Sequence, residues 1–360
     1  MRRWFRKWWK TVFALAIVAA IGWHFARDLR KPELWQRPIH FPWLVISGVL
    51  YLLGLGVSAV FWYRILHSMG QRPSFPTAVR AYFLGQMGKY LPGKAWALFL
   101  RAALIRGPRV SMIAALISSL YEVLATMTSG VLLSAILIPL LLPDSPSPVS
   151  WPILRQLFGK STPVSVEPDR RSLIILAIGL LMIVGMPLLS YNWVVKRLGS
   201  LRASIKRFAA TGGATPGIPP GTLVWGLPLI AVCWFLWGAS VWAVLQALVE
   251  SPQPWEWETI GRYTAYMGLA YVAGFVIILV PSGIGVREFL LNLFLVPEVS
   301  RMFHTGDDEA RAVAVLAVIL LRVVWTAAEV LANAMLYWLP GPGIRNIEAF
   351  AAERQSEESS

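Results

Sequence analysis

Residues 272–290 read Val-Ala-Gly-Phe-Val-Ile-Ile-Leu-Val-Pro-Ser-Gly-Ile-Gly-Val-Arg-Glu-Phe-Leu. An apolar run is cut at Pro281, Ser282, Gly283 and Gly285, then resumes with a charged pair, Arg287 and Glu288. Proline removes a backbone donor and glycine relaxes the chain, so one helix should end at this break and a second begin at Val286. In hydrocarbon, unpaired backbone persists only where protein or a water-filled cavity covers it. The surrounding stretch, 263–296, is therefore expected to form a re-entrant helical hairpin. Residues 75–105 have the same form: an apolar arm, a break at Leu91, Pro92 and Gly93, then Lys94 and Arg101.

Longer apolar runs surround these two. Crossing a hydrocarbon core of about 30 Å takes about 20 helical residues, and the candidates are 11–26, 41–63, 110–142, 172–190, 222–249 and 312–339. The expected fold is all-α: a polytopic bundle of about six full spans plus two re-entrant hairpins in inverted repeats. It is expected to be one transmembrane domain over 1–342, with a disordered cytoplasmic tail at 343–360. Residues 144–168 and 211–221, rich in proline with serine or glycine, read as loops. Of the 360 residues 56% are hydrophobic and 14% charged, a balance foreign to a soluble domain. The basic start before residue 11 resembles a secretory signal, but Trp23 and His24 close the first run without a small-residue cleavage site, so an uncleaved anchor is expected.

The net charge of +14 does not point to nucleic acid, because the cations flank apolar runs and form no single soluble face. Anionic lipid headgroups are the better partner. Most lysines and arginines fall before residue 11, in 64–109, in 196–207 and in the tail. The expectation is a multi-pass protein of the cytoplasmic membrane with both termini inside. In 192–208, Val194, Leu198, Leu201, Ile205 and Phe208 repeat at helical spacing opposite Lys196, Arg197, Arg202, Lys206 and Arg207. That is the pattern of an interfacial amphipathic helix; a charged loop that only sets orientation is the alternative.

On this topology the two hairpins enter from opposite sides, and paired interrupted segments of that kind point to a transport site between inverted repeats. Each second arm would present free N–H groups and the positive end of its macrodipole at membrane depth. Lys94, Arg101 and Arg287 are the candidate headgroup-binding cations, suited to a phosphodiester; snorkelling that merely anchors the hairpins is the competing role. Glu122, Glu288, Arg322 and Glu329 are the expected intramembrane polar centre, with Glu122 meeting Arg322 between the two halves. Such a charge in mid-span costs roughly 2.5 to 3.5 kcal/mol on translocon scales and should face the protein interior.

The motif Gly-Lys-Tyr-Leu-Pro-Gly-Lys-Ala-Trp at 88–96, with Arg101 beyond it, and Val-Pro-Ser-Gly-Ile-Gly-Val-Arg-Glu at 280–288 resemble the flippase-like membrane family. That family includes the transmembrane region of lysylphosphatidylglycerol synthases. The resemblance runs over nearly all of residues 10–340 and implies translocation of a lipid or lipid-linked headgroup. Family members often carry Glu-Arg followed by Asp in the span after the first hairpin. Here Glu122 is followed by Val123, and Thr126 stands at the Asp-like position, which implies a different headgroup or coupling mode. Ser282 stands where the family more often has glycine. The synthases' separate soluble aminoacyl-transfer domain has no counterpart here, so lysyl transfer is not expected.

The leading expectation is thus a flippase or transporter of a phospholipid or a polyprenyl-phosphate-linked lipid, and not an enzyme. One alternative is an intramembrane lipid-modifying enzyme. Its acid/base chemistry would have to come from Glu122, Glu288 or Glu329, since four scattered histidines and the lone Cys233 offer no metal or nucleophile cluster. The other is a non-transporting partner of a glycosyltransferase or lipid synthase, although interfacial belts already account for the 18 tryptophans. No cofactor is expected.

Overall fold

The computed structural model describes residues 38–90, 96–142, 173–175, 177–181, 185, 218–276, 285–304 and 306–338. Every regular element among them is helical: α1 (Phe41–Ser68), α2 (Phe75–Gln86), the 3-10 turn η1 (Met87–Tyr90), α3 (Trp96–Ile105), α4 (Met112–Leu141), α5 (Pro220–Gln246), α6 (Trp257–Val276), α7 (Val286–Phe303) and α8 (Asp307–Trp338). Four of these, α1, α4, α5 and α8, are long and apolar enough to cross a membrane, so the chain is a multi-pass helical membrane protein. They match the expected spans 41–63, 110–142, 222–249 and 312–339. Of the expected span 172–190, residues 173–175, 177–181 and 185 are helical. The expected span 11–26, the amphipathic segment 192–208, the loop 144–168 and the tail 343–360 lie outside the described residues.

Local chemistry sets the helix ends. Proline at the first position of α5 forfeits only an N–H that would be unpaired anyway, so Pro220 and Gly221, expected in a loop, open that helix instead. α8 starts five residues before the expected 312, with Asp308 and Glu309 in its first turn, where carboxylates offset the positive helix end. α2 has Pro76 at its second position, and Gly107 and Val110 exchange backbone hydrogen bonds of 3.2 and 3.1 Å in the turn before α4.

The chain divides into two compact units. The first takes Met1–Leu50, Gly130–Leu180 and Trp234–Thr326; the second takes Tyr51–Ser129, Leu181–Cys233 and Ala327–Ser360. The first therefore holds the α6–α7 pair and the second the α2–α3 pair, and in each pair the two helices pack on one another. The second stretch is longer than expected: α6 begins at Trp257 and α7 runs to Phe303, beyond 263–296 at both ends. Arg262, Glu298 and Arg301 satisfy one another there, so polar residues extend the arms.

Small residues let the helices approach, as in membrane bundles where packing and polar contacts drive association. In the first unit a Cβ on Gly268 would sit 2.6 Å from Ser134 Oγ and 2.8 Å from the Gly130 carbonyl oxygen. Ser134 in turn donates to the Ala265 carbonyl at 2.9 Å, and the Ser47 and Ser240 hydroxyls meet at 2.8 Å. In the second unit Trp62 Nε1 donates to Ser118 at 2.9 Å. Gly88 lies so close to α3 that a Cβ there would stand 2.6 Å from the Ala97 backbone.

Candidate functional site

α7 starts where the sequence places it, at Val286, after Gly285 in a conformation (φ 88°) that suits glycine. The Gly285 N–H donates to Glu288 Oε2 at 2.8 Å, so the carboxylate folds back over its own helix start and satisfies a donor that the helix leaves over. The other oxygen, Oε1, accepts from two guanidiniums: Arg287 Nη2 at 2.8 Å and Arg322 Nη1, from α8, at 3.4 Å. Two full positive charges thus converge on one carboxylate at the positive end of a helix. The Arg287 and Arg322 side chains keep 13% and 26% of their surface.

The wall beside Arg287 is aromatic. Its guanidinium lies 5.7 Å from the Tyr271 ring and 5.5 Å from the Trp325 ring, within cation–π range. Trp325 is held by an Nε1 hydrogen bond to Ser240 at 2.8 Å, and Trp237 stacks on Tyr271 with centroids 5.7 Å apart. The bare backbone of Gly274 admits the arginine: a Cβ there would be 3.2 Å from Arg287 Cβ.

The α2–α3 pair carries a different arrangement. Arg101 Nη1 donates to Glu122 Oε2 on α4 at 2.8 Å, and the two side chains keep 4% and 3% of their surface. The Tyr82 hydroxyl donates to Glu122 Oε1 at 3.1 Å, with the Thr126 hydroxyl at 3.3 Å, and the Arg101 guanidinium lies 3.9 Å from the Tyr82 ring centroid. One charge meets one countercharge, and the Tyr82 ring lies against the guanidinium. Thr126, one turn after Glu122 on α4, gives that carboxylate a hydroxyl. Glu122 and Arg322, expected to meet one another, each have an ion-pair partner in their own unit, Arg101 and Glu288. In each case the partner sits on the second arm of the pair, α3 or α7.

Glu329, on the last third of α8, is buried and accepts from the Lys89 ammonium and the Tyr51 hydroxyl on one oxygen and from the Tyr90 hydroxyl at 2.8 Å on the other. One turn further, Asn333 Nδ2 reaches Met87 Sδ at 3.3 Å, so the whole of η1 is tied to α8. At the open end of the α6–α7 pair, Glu298 Oε1 takes hydrogen bonds from Tyr266 (2.9 Å), Arg301 (3.0 Å) and Arg262 (3.2 Å). Lys89, Tyr82, Tyr271, Trp325 and Glu298 were not singled out by sequence. Only Glu298 and Arg301, three apart on one helix, carried a local signal.

Lys94, Pro92, Gly93, Pro281, Ser282 and Gly283 lie outside the described residues. Among the described residues no group of histidine, cysteine, aspartate and glutamate is placed to hold a metal ion. In comparisons with known proteins, residues 11–328 match the family model described as the lysylphosphatidylglycerol synthase TM region. A comparison with curated proteins finds no match.

Proposed function

The chain belongs to the lysylphosphatidylglycerol synthase transmembrane-region family, and from that premise we propose that it is a lipid flippase whose phosphate-bearing substrate docks at Arg287 and Arg322. The observation that carries this reading is the convergence of two guanidiniums on one oxygen of Glu288, with both side chains partly exposed. Cations in a low-dielectric bundle are stabilised by added negative charge, and a phosphodiester would bring it. Guanidiniums suit phosphate because their forked donors match its oxygens. A phosphate replacing Glu288 Oε1 on either arginine would leave Oε2 free to keep its bond to the Gly285 N–H, so the helix start survives the exchange.

In this reading the α2–α3 and α6–α7 pairs are re-entrant hairpins of opposite orientation in the cytoplasmic membrane, with both termini inside. Lys94 would add a cation near the break of the first. The substrate is a phospholipid or a polyprenyl-phosphate-linked lipid, and no chemical conversion is involved.

Liposome reconstitution tests it. A fluorescent phospholipid analogue placed in one leaflet should gain accessibility to an impermeant quencher in the other when wild-type protein is present. Arg287→Gln should slow that movement at least about tenfold, the loss of roughly one charge-assisted hydrogen bond, while Arg72→Gln, at an exposed position, should match wild type. Equal rates for wild type and Arg287→Gln would return Arg287 to an anchoring role.

A further inference from the structure

The second unit contains a groove away from its charge pairs, between the end of α1 and the start of α5. It encloses about 340 Å³, within the range of small-molecule sites. Phe61 and Trp225 form apolar walls together with Pro219, while Arg64 and Thr222 supply the polar groups. The groove exists because α5 is bare at this level: a Cβ on Gly226 would run into the Phe61 ring, whereas a Cβ on Gly221 would meet nothing.

Its position and chemistry are those of a membrane boundary. Arg64 stands four residues before the end of α1 and Trp225 five residues after the start of α5, each about 6 to 8 Å inside the end of an apolar helix at 1.5 Å per residue. That is the level where aromatic belts and basic residues meet headgroups. The Trp225 side chain is 78% exposed, and Arg64 is exposed with no carboxylate at ion-pair distance among the described residues. One cation over an apolar trough complements an amphiphile with one negative charge at its head. Inorganic phosphate would leave the walls without a partner, and an uncharged glyceride would leave Arg64 without one.

We infer that this groove holds a phospholipid of the surrounding leaflet, its phosphate on Arg64 and Thr222 and its glycerol and upper acyl chains along Trp225 and Phe61. The site concerns residence of a lipid and not its movement, and it does not rest on the role given to Arg287. The test is therefore run in an Arg287→Gln background, where binding at the other cation cluster is weakened whether or not that cluster is a transport site. Full-length protein in uncharged detergent is titrated with phosphatidylglycerol, phosphatidylcholine, dioleoylglycerol and inorganic phosphate, and bound lipid is read by native mass spectrometry. Both phospholipids should bind, and the other two should not. Arg64→Gln and, separately, Gly221→Phe, which sets a ring into the open space, should each weaken phospholipid binding about tenfold with the melting temperature of the lipid-free protein kept. Phospholipid binding unchanged in both variants, dioleoylglycerol binding as well as the phospholipids, or displacement by inorganic phosphate would overturn the assignment.

Discussion

Arg101 and Arg287 occupy comparable places, each on the second arm of a helix pair and each close to a glutamate, yet they end in opposite circumstances. In the α2–α3 pair the arm brings the cation and the following long helix brings the anion, Glu122; the pair is balanced and closed. In the α6–α7 pair the arm brings both Arg287 and the anion Glu288, and the following long helix adds a second cation, Arg322. The same link from arm to next span is thus built twice with its sign reversed. The balanced version pairs one cation with one anion inside its own unit, an arrangement attested elsewhere as a register device. In the unbalanced version two cations share one carboxylate among the described residues, and under the proposed function a lipid phosphate would bring a second anion.

The largest expected effect tests the closed pair. Glu122→Gln leaves the Arg101 guanidinium buried without a countercharge, so thermal and denaturant unfolding in detergent should show a loss of about 3 to 5 kcal/mol. Replacing both partners, Arg101→Met with Glu122→Leu, should restore most of that stability, because apolar replacement of a buried pair is often neutral or better. A double variant as unstable as the single would show that the pair does more than fix register.

Arg287→Gln should cost less stability than Glu122→Gln, since Arg322 still faces Glu288, although it should slow lipid movement as described above. The two variants therefore separate along two axes, stability for the closed pair and transport for the open one. If Arg287→Gln destabilises as much as Glu122→Gln, the distinction between the two centres fails.

A smaller effect is expected at Glu329. Tyr51→Phe removes one of its hydrogen-bond donors while Lys89 and Tyr90 remain, so a loss of about 1 kcal/mol should appear in unfolding measurements. Tyr90→Phe should match it, and a double change should cost roughly the sum unless the donors compensate for one another. Additive losses would make Glu329 a static anchor for η1; a double variant no worse than either single would show that Lys89 alone holds the carboxylate.

Much of the fold was legible because its signals are local. Solvation in hydrocarbon demands a continuous apolar run with internal backbone bonding, which marked α1, α4, α5 and α8 in the sequence itself. The start of α7 at Val286 was equally local, set by Gly285 and the break before it. Arg101, Arg287, Glu122, Glu288, Arg322 and Glu329 could be named as important because charge inside an apolar run is costly wherever it occurs. Which charge meets which was not written there. The pairing of Glu122 with Arg101, of Arg322 with Glu288 and of Glu329 with Lys89 depends on helix packing and on side-chain reach. Gly85 and Gly274 leave room for the Arg101 and Arg287 side chains on the neighbouring arm. An ion pair follows the distance between two atoms brought together by the fold, and a single sequence records the atoms without the distance.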